Sequence, residues 1–218
     1  MELISKILID HNRLFFNEKP LRLYGRVTSP KNFYINDLSI GRWHVKNSEI
    51  IHTTMCFKAK YESNSLGMRD NEVNYKNEGI YFIIGDSFAE GLGLNFDERI
   101  DANLKIKTLN FGLTDSGPIN YYLIYDKFKE ISHKGIIIFF YPTNDFVVDI
   151  DRFNNNNLLL NNLLWYKTFS NYDGIKFIDL LKYFSKEKYH EKYYFTCDHH
   201  LNLNGAKFVA TILNKELQ

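Results

Sequence analysis

Asp198 and His200 stand two residues apart in the late stretch TCDHHLNLNG, and Ser87 follows Gly85 and Asp86 at the end of the apolar run YFII. These residue types suit nucleophilic catalysis. A serine hydroxyl becomes an effective nucleophile when a base takes its proton, and a histidine is best held for that task by a carboxylate. In an extended segment residues i and i+2 point to the same side, so Asp198 can receive the Nδ1–H of His200 and leave Nε2 to act on Ser87. His199 would then point the other way, as a bystander or a substrate contact. A metal site made of Asp198, His199 and His200 lacks a further ligand placed by the sequence, and zinc takes three or four. Neither a metal nor another cofactor is expected.

Acyl chemistry also needs donors for developing negative charge. Three candidates lie just after apolar runs: the N–H of Ser87 itself, the N–H of Gly112 in NFGLTDSG, and the side-chain amide of Asn144 in FFYPTND. Each has a plainer reading, as a strand-to-helix turn, an ordinary glycine and an Asn-Asp turn. Tyr141 and Asp145 flank Asn144 and are candidate substrate contacts.

The elements that must position these residues are legible as alternating patterns. IYFII (80–84), IKTLNF (106–111), GIIIFFY (135–141) and IKFIDL (175–180) are short, β-branched and aromatic, as strands of a parallel sheet tend to be. Helices are expected near 97–104, 118–132, 157–169 and 204–216, the last capped by Asn204. This alternation predicts an α/β fold, a three-layer α/β/α sandwich around a mostly parallel central sheet. In such sheets ligands sit beyond the carboxyl ends of the strands, where Ser87, Gly112 and Asn144 fall. Gly85 is expected to let the backbone bend sharply and raise Ser87 above the sheet.

Before residue 79 the pattern differs. NFYI, RWHV and EIIHTTMCFKAKY are short β-like runs separated by turn residues, which predicts a β-rich N-terminal extension over 1–78 and a catalytic domain over 79–218. NNNN at 154–157, followed by LLLNNLLWYK, reads as a polar loop entering an amphipathic helix, with a lid over the substrate as the alternative.

Composition narrows the partners. Lys and Arg total 27 against 26 Asp and Glu, which gives no electrostatic reason to expect nucleic acid or an acidic membrane surface. The apolar runs are far shorter than the roughly 20 residues a membrane span needs. The N-terminus lacks an uninterrupted apolar core, and the two cysteines allow at most one disulfide, which suits a reducing cytosol. The expected location is cytoplasmic; a processed exported form would look the same.

Together these residues resemble the SGNH (GDSL-type) hydrolase superfamily. GDSFAEG is similar to its first block, Gly112 to its second, PTND to its third and DHHLNLNG to its last, in the family's order over residues 80–213. The resemblance implies a flavodoxin-like sheet, Ser87 as nucleophile, His200 as general base and Asp198 as its orienter, with Ser87, Gly112 and Asn144 as the oxyanion hole. Two positions depart from the pattern. Cys197 stands where the commonest last block has Asp, three before His, and Pro142 stands where the third block usually has Gly. Some sugar-modifying branches use the shorter Asp-x-His spacing. NSLGMRDNEV (64–73) resembles a segment found before GDS in bacterial members with an N-terminal β extension, and an Arg69–Asp70 ion pair there would pin the extension, with a solvated turn as the alternative.

The resulting expectation is a serine esterase acting on a small-molecule or glycan ester, removing a small acyl group such as acetyl from a carbohydrate. An acyltransferase would use the same triad, a lipase or thioesterase would add a long apolar channel, and a sugar-binding module would keep the fold without the chemistry.

Overall fold

The computed structural model describes residues 30, 32–73, 79–141, 145, 176, 178–196 and 198–217. Two antiparallel pairs open the described chain. β1 (Tyr34–Ile35) pairs with β2 (Trp43–His44), and β3 (Glu49–Thr53) forms a hairpin with β4 (Lys58–Glu62). Along β4 alternate residues are buried, so Ala59 and Tyr61 pack with Phe33, Phe57 and Leu92 while the lysines face solvent. Cys56, in the β3–β4 turn, is disulfide-bonded, and Cys197 is the chain's other cysteine.

The second part is an α/β unit. β5 (Tyr81–Gly85) lies between β6 (Thr108–Asn110) and β7 (Gly135–Phe139), and both pairings are parallel. β5 is buried from Phe82 to Gly85, as befits a central strand covered on both sides. Phe82 and Ile84 join Leu109, Phe111 and residues of helix α2 (Pro118–Phe128), and the same cluster takes in Ile40, Trp43 and Met68. The N-terminal β segment and the parallel sheet therefore share a core. Phe139, paired in register with Gly85, instead packs with Ala206, Val209, Ala210 and Leu213 of helix α4 (Leu203–Glu216).

Several local expectations need correction. Residues 97–104 make no α-helix; they form two 3-10 turns, Phe96–Glu98 and Asp101–Asn103. Helix α4 is capped by Asn202, whose side chain accepts from the N–H groups of Asn204 and Gly205, so the expected cap Asn204 lies inside the first turn. Residues 178–180 are not in a strand and lead into the short helix α3 (Leu181–Phe184), and the helix expected over 157–169 lies outside the described residues. GIIIFFY is only half covered, since Ile136 and Ile138 on β7 remain exposed. Among the described residues no helix is long and apolar enough to cross a membrane.

Candidate active site

Ser87 opens the single-turn helix α1 (Ser87–Glu90) directly after β5. Asp86 starts the turn by accepting a hydrogen bond from Phe88 N–H at 3.0 Å, and Gly91, in the left-handed region at φ 75°, ends it by donating to Ser87 O. Gly85 plays a different part from the one expected. It continues the strand, and a Cβ there would meet the Cβ atoms of Ala89 and Phe139 at 2.8 Å. Glycine is needed at 85 for close packing of helix on strand, while the left-handed bend falls at Gly91.

His200 reaches this turn from the loop before α4. That loop is closed by the Tyr194–Leu201 bridge and by Phe195 N–H donating to His200 O. Within it, Asp198 Oδ1 accepts from the backbone N–H of His200 at 2.9 Å and from its ring Nδ1 at 2.5 Å. The two residues thus meet through an Asx-type turn, in which the carboxylate bonds the backbone two residues on, and not through the extended geometry expected. A ring that donates through Nδ1 presents a lone pair at Nε2, and His200 Nε2 lies 2.7 Å from Ser87 Oγ.

Burial pushes the Asp198 carboxyl up, but the hydrogen bonds and charge of His200 outweigh it and hold the carboxyl below the ordinary Asp value. Asp198 is thereby kept as the carboxylate that an imidazolium needs beside it. The neighbouring charge of His199 adds to the same effect; its residue is exposed, on the rim of the loop. Phe88 packs its ring 5.2 Å from that of His200 and 5.3 Å from that of Tyr141, and Tyr141 is 42% exposed. These rings form an aromatic wall beside the hydroxyl, with Tyr141 on the solvent side as a substrate contact would be.

The other expected residues fall out differently. Gly112 lies on the continuation of β6, where Phe111 N–H donates to Ile83 O and Leu113 N–H to Gly85 O. A Cβ on Gly112 would sit 2.2 Å from Glu90 N, so the glycine lets this loop press against the backbone of α1. Its N–H donates to Asn110 Oδ1 at 2.8 Å, while Asn110 Nδ2 donates to Ala89 O. Asn110 was not singled out by the sequence, although it stands beside Gly112 in NFG. Asn144 lies outside the described residues. Asp145 is fully buried: its Oδ2 accepts from Tyr141 N–H at 2.9 Å, and it is hydrogen-bonded to Tyr121. Asp145 holds the wall from behind and does not itself face a substrate.

Arg69 and Asp70 do fasten the N-terminal β segment, but not by pairing with each other. The buried Arg69 guanidinium lies over the Tyr61 ring and donates to the carbonyls of Glu90, Gly91 and Leu94, whereas Asp70 accepts from Asn110 N–H at 2.7 Å. Among the described residues no group of three or more His, Cys, Asp or Glu side chains is placed to hold a metal ion.

No protein-family model matches the chain, and a search of curated proteins found no match. A hydroxyl, an imidazole and a carboxylate stand in hydrogen-bonded series, able to move a proton off Ser87 as it attacks an electrophilic carbon.

Proposed function

We propose that the protein is a serine esterase of SGNH type, with Ser87 as nucleophile, His200 as general base and Asp198 as its orienter. The observation that carries this reading is the unbroken series from Asp198 Oδ1 through His200 to Ser87 Oγ, with contacts of 2.5 and 2.7 Å. Such a series activates an otherwise weak nucleophile. The small parallel sheet with helices is consistent with the three-layer, flavodoxin-like sandwich of that family.

In the reaction, His200 Nε2 takes the Ser87 proton as Oγ bonds to the ester carbonyl carbon. The carbonyl π electrons move to its oxygen, giving a tetrahedral oxyanion. Ser87 N–H and the Asn144 amide are the donors assigned to it, and Gly112 N–H joins them only by leaving Asn110 Oδ1, to which it donates. The intermediate collapses by breaking the carbon–oxygen bond to the alcohol, which leaves with the proton from Nε2. Water then attacks the acyl-enzyme by the same proton transfers and releases the acid.

The substrate we assign is a small acyl group, acetyl foremost, on a carbohydrate. The exposed Tyr141 ring beside Phe88 supports this choice, because an aromatic face offers an apolar surface to the C–H face of a sugar. The disulfide at Cys56 favours an oxidising compartment over the cytoplasmic location expected from the sequence.

A series of nitrophenyl esters of increasing acyl length tests the activity and the acyl preference together. Turnover highest with acetyl supports the reading, and turnover rising with chain length points to a lipase or thioesterase. Acyl transfer to added glycan outrunning hydrolysis would identify an acyltransferase built on the same triad.

A further inference from the structure

A second buried carboxylate near Ser87 lies outside the triad. Glu90 ends helix α1, three residues after Ser87, and is 0% exposed. Its Oε1 accepts from the Tyr34 hydroxyl of β1 at 2.7 Å and faces His44 Nε2 of β2 at 3.4 Å. Its Oε2 accepts from Thr114 N–H, in the loop that carries Gly112, at 2.5 Å. The backbone carbonyls of Glu90 and Gly91 each accept from Arg69 Nη1 at 2.8 Å. Burial pushes the Glu90 carboxyl up, but the positive charges and hydrogen bonds around it prevail and hold it below the ordinary Glu value.

Resting on the assignment of Ser87 as nucleophile, we propose that Glu90 is a positioning residue, through which the N-terminal β segment sets the nucleophile turn against the Gly112 loop. One carboxylate ties together three pieces of chain that are distant in sequence: α1, the loop after β6, and the β1–β2 pair. The fit is tight, since Gly112 already abuts Glu90 N with no room for a side chain. Loss of the Thr114 or Tyr34 bond lets the loop and the turn drift apart, and a displacement near 1 Å at a reacting group lowers turnover by as much as about a hundredfold.

The test uses Glu90→Gln and Tyr34→Phe in the full chain, with kcat and KM on nitrophenyl acetate and circular dichroism to report folding. Gln preserves the volume but removes the charge and one acceptor oxygen, so its NH2 either meets the donor Thr114 N–H or makes the Tyr34 hydroxyl turn from donor to acceptor. Expected is a folded Glu90→Gln variant with kcat lowered about tenfold to a hundredfold and KM within about twofold of the parent. Tyr34→Phe removes only the hydroxyl that donates to Oε1 and should show a smaller kcat loss with KM again unchanged. If Glu90→Gln does not fold, the Tyr34→Phe result decides. A folded variant with undiminished kcat, or one that shifts KM alone, overturns the proposal while leaving Ser87 as nucleophile. A parent protein that neither turns over esters nor labels at Ser87 overturns the nucleophile assignment and this proposal with it.

Discussion

Asp198 Oδ1 accepts both the backbone N–H and the ring Nδ1–H of His200, so one oxygen fixes the position and the orientation of the imidazole at once. The other oxygen, Oδ2, is buried with no hydrogen-bond partner among the described residues. Both hydrogen bonds described for the carboxylate go to His200. Asp198→Asn keeps an acceptor for the backbone N–H but offers the ring no negative charge. Turnover should fall by on the order of 10³–10⁴, with the unfolding temperature little changed. A variant within tenfold of the parent would show that His200 does not depend on Asp198.

The loop after β6 is held by contact as much as by hydrogen bonds. Gly112→Ala places a methyl group 2.2 Å from Glu90 N, against backbone that has no rotamer to change. The loop must move, and stability should drop by about 2 kcal/mol or more, read as the urea midpoint. Turnover should fall with it, and a variant of full stability and activity would contradict the close packing described.

Asp70 offers a test by pH. Burial raises its carboxyl to about 6, against the pull of Arg99. A raised folded-state value means that the native chain binds more protons than the unfolded chain between the ordinary Asp value, near 4, and about 6. The unfavourable contribution of Asp70 therefore grows as pH rises through that window. Asp70→Asn removes it while keeping an acceptor for Asn110 N–H. Relative to the parent, the variant should gain on the order of 2 kcal/mol between pH 4 and pH 7, measured by urea unfolding at each pH. A stability difference that stays flat with pH would contradict the shift.

These tests touch parts of the molecule that the sequence revealed unequally. Ser87, Asp198 and His200 were legible because their chemistry is local: a polar turn ending an apolar run, and an acid spaced to hold an imidazole. β5, β6, β7, α2 and α4 were legible from periodicity, although the cap of α4 lies two residues earlier than expected because Asn202, not Asn204, adopts the extended backbone of a cap. Glu90, Tyr34, His44 and Asn110 were not legible. Their partners lie as far as 56 residues away, as with Tyr34 and Glu90, and no spacing rule connects them. Asp145, a candidate substrate contact by sequence, turns inward for a related reason, since a buried tyrosine and a backbone N–H await it.

Cys56, in the turn of the β3–β4 hairpin, is disulfide-bonded, and its neighbour Phe57 packs 5.2 Å from Phe195. Reduction should lower the stability of the protein by about 2–4 kcal/mol, seen as a lower unfolding temperature in dithiothreitol. Cys56→Ser should reproduce the effect and no longer respond to reductant. Identical melts with and without reductant would show that the bond contributes nothing to the fold.

Tyr141 bears on substrate choice. Its exposed ring stands beside Phe88 while its backbone is held by Asp145, so Tyr141→Ala removes the outer surface of the wall and leaves the triad in place. KM for an acetylated oligosaccharide should rise several-fold, and kcat on nitrophenyl acetate should hold. Equal effects on both substrates would assign Tyr141 to the support of the site and not to sugar contact.

The most direct measurement is labelling of the native protein with a fluorophosphonate, followed by peptide mass mapping. The 2.7 Å contact between His200 Nε2 and Ser87 Oγ predicts a single adduct on Ser87, lost in His200→Ala and in protein unfolded before labelling. Folded protein that forms no adduct, or forms it at another residue, would contradict the assignment of Ser87 as the nucleophile.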